Sequence, residues 1–181
     1  MHKQYGKRHA WWQVPADINR KRRRRTKAAT RWVRSDGGRR AAGHCHLNDC
    51  VIRAIAVATE KPYHEVHGAL AAATIRYVKT SRSRVAGWIK RSRGGRGLDP
   101  SHGSYDAIYR PYLASLGWRF VSTKNNRKVR LRADELPPGR LIVRVHRHLV
   151  AVIDGVIHDT FNSGQAGRRP VIGYYTAEVQ P

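Results

Sequence analysis

Apolar positions in the first forty residues recur with little helical or strand period, and the first sustained pattern begins at Cys50. The run Cys50-Val51-Ile52-Arg53-Ala54-Ile55-Ala56-Val57-Ala58 is apolar on almost every side, which predicts a mostly buried helix with Asn48 or Asp49 as its N-cap and Cys50 in its first turn. Pro62 at a first helical position, followed by Val66, Leu70 and Ala73 at spacings of four and three, predicts a second helix to about residue 76. Residues 79–103 lose that period and turn to Ser, Arg and Gly, so they read as a basic loop with one short helical turn at 85–89. Ile108, Tyr112 and Leu116 share one side of a third helix near 104–116, and Gly117 ends it.

Beyond Gly117 the signal changes to strands. The segments 118–122, 129–131, 141–145, 149–153, 156–159 and 171–175 are short, rich in β-branched residues and separated by turn residues. Helices first and strands second predict an α+β domain, with N-terminal helices packed on a C-terminal antiparallel sheet. No internal repeat is visible.

With 181 residues and 40% hydrophobic content, the chain supports one core-bearing domain plus an appendage. Asp36-Gly37-Gly38 and Gly43 mark a flexible boundary near residue 40, dividing a 1–40 arm from a 41–181 domain. The arm holds 14 Lys/Arg against two Asp/Glu, half of the chain's formal net charge of +24. Its densest stretch is Arg20-Lys21-Arg22-Arg23-Arg24-Arg25, continued by Lys27 and Arg31, with Tyr5, Trp11, Trp12 and Trp32 interleaved. Alone such a segment is expected to be disordered, and to order on a partner. Cations that displace phosphate counterions and indoles that stack on bases make DNA or RNA the expected partner, against the plainer reading of a solubilising tail or localisation signal. There is no apolar stretch of about 18 residues and no apolar leader followed by a small-residue cleavage site, so a soluble, intracellular protein without a membrane partner is expected. Two cysteines only, Cys45 and Cys50, fit reduced thiols rather than a disulfide scaffold.

The position of Cys50 changes the picture from packing to chemistry. At a helix N-terminus, unpaired N–H groups and the helix dipole favour thiolate over thiol. The second clue is the segment from Arg147 to Thr160, where Asp154-Gly155 is a strong signal for a two-residue hairpin. If those two residues form the turn, Ile153 pairs with Val156, Val150 faces Asp159 and His148 faces Phe161. His148, Val150, Ile157, Asp159 and Phe161 then share one side of the hairpin. His148 and Asp159 become diagonal neighbours, about 5.5–8 Å apart between backbones and within reach of an imidazole–carboxylate bond that would orient a catalytic base. His158 points the other way, and His146 shares parity with His148. A nucleophile opening a buried helix, followed by a histidine strand and an acidic partner, is an arrangement that activates cysteine by proton transfer.

Other chemistries fit less well. His44-Cys45-His46 with Cys50, and His146 with His148, do not match paired-ligand zinc frameworks, so no metal is expected. Ser92-Arg93-Gly94-Gly95-Arg96-Gly97 lacks the Lys-Ser/Thr ending of a phosphate-binding loop, so no nucleotide cofactor is expected either.

The stretch Asn48-Asp49-Cys50-Val51-Ile52-Arg53-Ala54-Ile55-Ala56 resembles the nucleophile helix of papain-like cysteine peptidases. It most resembles the compact branch that includes the peptidase domains of bacteriocin-exporting ABC transporters and related phage-encoded proteins, and the His148 to Asp159 hairpin is similar to that group's His and Asp strands. The likeness covers roughly residues 43–179 by order of elements, with these two motifs as its specific parts. It implies a papain-like fold and hydrolysis of a polypeptide by a Cys50-His148-Asp159 triad. In that family a Gln six residues before the nucleophile supplies an oxyanion donor. Here that position holds His44, with His46 and Asn48 as rival donors. The resemblance further implies a phage or viral setting, in the host cytoplasm or a virion. The alternative is a nucleic-acid-associated structural or virion protein that keeps the fold without the activity. Either way, a chain of +24 favours acidic targets.

Overall fold

The computed structural model describes residues 31–45, 48–124 and 129–177. Along them run strand β1 (Trp32–Arg34), helices α1 (Cys50–Thr59), α2 (Tyr63–Thr80) and α3 (Arg84–Arg91), and two 3-10 turns at Arg93–Leu98 and Pro100–His102. Helix α4 (Asp106–Ser115) follows, then strands β2 (Trp118–Ser122), β3 (Arg140–Val145), β4 (His148–Ile153), β5 (Val156–Asp159) and β6 (Val171–Ala177). The class is α+β, and the strands form one sheet in the order β1-β5-β4-β3-β6-β2.

Helix α1 is the centre of the packing. Val51, Ile52, Ala54, Ile55, Ala56 and Ala58 are all buried, together with Val66 and Leu70 of α2, Ile108 and Leu113 of α4, and Ile142, Leu149, Ala151 and Tyr175 from the sheet. The opposite face of the sheet is covered by residues 129–136, where Leu131 and Leu136 pack on Leu141, Val143, Val150, Val152 and Ile157. With both faces covered, β4 is apolar at successive positions from Leu149 to Val152.

The β4–β5 hairpin has the register that its turn dictates. Ile153 pairs with Val156 and Ala151 with His158, and Asp154 and Gly155 both have positive φ, 47° and 75°, as a type I′ turn requires. Gly155 is doubly constrained, because a Cβ there would lie 2.5 Å from Cβ of Ala133.

Five expectations are corrected. The expected antiparallel sheet is mixed, because β1 pairs with β5 in parallel, Arg34 opposite Asp159. Its side chains are exposed and lack apolar alternation, and it is held by backbone bonds, Ile157 N–H to Arg31 O and Ser35 N–H to Asp159 O, both 2.9 Å. The fold thus takes in residues that charge alone assigns to the arm, and Asp36-Gly37-Gly38 is a docked turn rather than a flexible joint. Asp36 accepts from the N–H groups of Gly38 and Arg40, while Gly37, at φ 63°, lies so close to the backbone of Arg53 that a Cβ would sit 3.1 Å from its Cα. Helix α2 starts one residue after Pro62 and continues to Thr80, carried past its apolar stripe by Tyr77 and Val78, which are half-buried against the core. The basic segment after it is helical over Arg84–Arg91, because Ser83 caps it by accepting from Ala86 N–H and because Ala86 and Ile89 find the core. Finally, His146 lies not in a strand with His148 but in the tight turn between β3 and β4, beside Arg147 at φ 54°.

Of the arm residues expected to bind nucleic acid, those at 20–25 and Lys27 lie outside the described residues, as does His46, while Arg31 is exposed at the entry to β1. Among the described residues, no helix is long and apolar enough to cross a membrane.

Candidate active site

Five strand termini meet at one end of the sheet: the last residues of β1, β3 and β5 and the first of β4 and β6. The N-terminus of α1, which packs on β4, arrives at the same end, so Cys50, His148 and Asp159 converge although 109 positions separate the first from the last. Cys50 and His148 open on a cleft of about 1400 Å³ whose walls include Asn48, Tyr105, Arg144, His146 and Phe161, with Asp159 buried behind His148.

His148 Nε2 is 2.7 Å from Asp159 Oδ2. That bond leaves Nδ1 for the thiol of Cys50, which His148 lies near enough to deprotonate more readily. Burial pushes the Cys50 thiol up, but the neighbouring His148 and its charge, the N–H of Leu149 and the nearby Arg53 guanidinium outweigh it and bring it below its ordinary value. Burial disfavours the imidazolium of His148, yet its bond to Asp159 and the neighbouring Cys50 raise it from 6.5 to about 9. Asp159 is also pushed up by burial and is nonetheless held at about 2 by His148 and Arg53. The three groups therefore favour thiolate, imidazolium and carboxylate together. The ring of His148 also rests against Phe161, centroids 5.4 Å apart.

Behind the three lies a buried ionic network that sequence reasoning missed. Arg53, one turn after Cys50, bridges two carboxylates: one nitrogen is 2.7 Å from Asp159 Oδ1 and another 2.9 Å from Asp49 Oδ1. Asp49 stands at the N-cap of α1 but makes no side-chain cap bond. Its carboxylate instead accepts from Arg53, from Arg39 at 3.5 Å and from the Tyr63 hydroxyl at 3.0 Å, and that contact and burial raise the Tyr63 hydroxyl. Asp159 is fixed from a third side by Thr160 N–H, and its carbonyl accepts from the Trp32 indole at 3.1 Å. The available signal was Arg53 itself: a lone charge inside an apolar helix has to find partners.

The two oxyanion candidates among the described residues part company. Asn48 is exposed and lines the cleft beside Cys50. His44 does not line it; its ring packs on Tyr63 and His67, with centroids 5.2 and 4.5 Å away. Cys50 begins α1, so its backbone N–H has no partner within the helix. Cys45 is exposed and free.

No family model matches this chain, and neither a curated protein nor a solved structure was found similar to it.

Proposed function

We propose that this protein is a cysteine peptidase of papain-like design, hydrolysing peptide or related amide bonds through Cys50, His148 and Asp159. The observation that carries the reading is the placement of His148, bonded to Asp159 through Nε2 and standing by the Cys50 thiol whose proton affinity it lowers, at a helix N-terminus that faces an open cleft. A carboxylate–imidazole pair serving only the fold would not need a thiol of lowered proton affinity in front of it.

In the proposed reaction the Cys50 thiolate attacks the scissile carbonyl. The oxyanion that forms accepts hydrogen bonds from the Cys50 N–H and the Asn48 side chain. As the C–N bond breaks, imidazolium His148 gives its proton to the leaving amine, and a thioester remains on Cys50. Water then gives a proton to His148 and adds to the thioester; collapse of that adduct releases the carboxylic acid and returns the thiolate–imidazolium pair. Asp159, anchored by Arg53, keeps the imidazole in the orientation that both transfers need.

The basic arm is proposed to hold this domain on DNA or RNA, on the strength of its 14 cations in forty residues. The deciding experiment is labelling with a thiol-directed peptidase probe across pH 5–9. Rapid labelling that is lost in Cys50→Ala, slowed in His148→Ala and unchanged in Cys45→Ala supports the peptidase. Labelling of Cys50 at the rate of an ordinary thiol, indifferent to His148, leaves the alternative: a nucleic-acid-associated structural protein with an inactive peptidase-like fold.

A further inference from the structure

The cationic side chains around Cys50 fall into two groups. Arg53 and Arg39 are spent on Asp49 and Asp159 inside the protein, Arg144 is paired with Asp106 at 2.5 Å, and Arg40 lies near Asp36, whose carboxyl its charge helps to lower. Arg34 and Arg147 are different. Both are exposed and line the cleft, and neither enters a hydrogen bond or ion pair among the described residues. Their placement follows from the backbone. Arg34 is the last residue of β1, opposite Asp159, and Arg147 precedes His148 in the two-residue β3–β4 turn, held there at φ 54°. They thus stand beside the two residues that activate the thiol, as charges with no internal use.

Resting on the peptidase reading, we infer that Arg34 and Arg147 form a carboxylate-binding subsite, and that the substrate is an acidic peptide with an Asp or Glu close to the scissile bond. An arginine offers a forked pair of donors that fits a carboxylate. Two unpaired guanidinium groups beside one nucleophile also repel a basic residue at the same place, which gives specificity by both attraction and exclusion.

The test separates local charge from the general attraction of a +24 chain for anions. The chain has two cysteines only, so Cys45→Ser leaves the cleft thiol alone and Cys50→Ser leaves the exposed Cys45 alone. Each single-thiol protein is alkylated with iodoacetate, which is anionic, and with iodoacetamide, its neutral analogue; both reactions transfer the carbon to sulfur and release iodide. The iodoacetate-to-iodoacetamide rate ratio is expected to be several-fold higher at Cys50 than at Cys45. It should fall roughly fivefold when Arg34→Gln and Arg147→Gln are combined in the Cys50-only protein. Arg82→Gln, which removes an exposed charge outside the cleft, should leave it unchanged. Equal ratios at the two thiols, or a fall as large with Arg82→Gln, would overturn the subsite while leaving a fast-reacting Cys50 and the peptidase reading intact. If Cys50 reacts with iodoacetamide no faster than Cys45, the peptidase reading fails and the subsite fails with it.

Discussion

Arg53 and His148 grip opposite oxygens of one carboxylate, each at 2.7 Å: Arg53 takes Oδ1 of Asp159 and His148 takes Oδ2. The acid that orients the candidate base is thereby pinned to the same helix that carries the nucleophile, so the distance between base and thiol is fixed by a bond rather than by sheet packing alone.

Removing Arg53 should therefore cost both stability and rate. Arg53→Ala leaves Asp49 and Asp159 buried without their shared counter-charge, and is expected to lower the unfolding free energy by about 3–5 kcal/mol. Urea denaturation checks this. Arg53→Lys, which keeps the charge but reaches one carboxylate at a time, is expected to lose less stability yet still show slower Cys50 labelling.

The pH dependence of hydrolysis follows from the pair. Activity needs Cys50 deprotonated and His148 protonated, so the kcat/KM profile should rise on the acid side below the ordinary thiol range and fall as pH passes about 9, where His148 loses its proton. Asp159→Asn removes the largest contribution that raises His148. It should move the alkaline limb to lower pH and reduce kcat by about 10²–10⁴-fold.

Stability at low pH tests Asp159 from the other direction. Its carboxyl is lowered from 3.8 to about 2 in the fold, so its contribution is complete above pH 3.8 and is lost as pH falls through about 2. The stability difference between wild type and Asp159→Asn, measured by thermal melting, should therefore shrink across that window and be flat above it.

Asn48 and His44 are separable by what each should damage. Asn48→Ala is expected to lower kcat about 10²-fold with the melting temperature little changed, since the side chain is exposed in the cleft. His44→Ala is expected to disturb its packing on Tyr63 and His67, lowering the melting temperature by a few degrees with kcat largely preserved; a steady-state assay beside a melt distinguishes them.

Much of this site could be read from the chain because it rests on local signals. Asp154-Gly155 has a backbone requirement that few other dipeptides meet, and from that turn the pairing that brings His148 to Asp159 follows by counting. The bond itself is there at 2.7 Å. Cys50 was legible because a helix start is a local event. What escaped depends on contacts distant in sequence. Strand β1 has no apolar alternation, and its place in the sheet comes from backbone bonds to residues more than 120 positions away. Asp49 looked like a cap because caps are read from residue type, yet the buried Arg53 claims its carboxylate. Helix α3 was hidden by Ser, Arg and Gly, since only two of its side chains are fully buried.

The placement of β1 sets a practical limit on how this chain can be shortened. Cutting at residue 41, where charge and glycine content suggest the domain begins, would remove the Trp32 indole and the Ser35 N–H from the carbonyl of Asp159. The same cut would strip Gly37 from the back of α1, Arg39 from Asp49 and Arg34 from the rim of the cleft. Trimming only to residue 30 would spare all five contacts while discarding most of the basic arm, so a screen of truncations for soluble material could return two very different proteins from ends eleven residues apart.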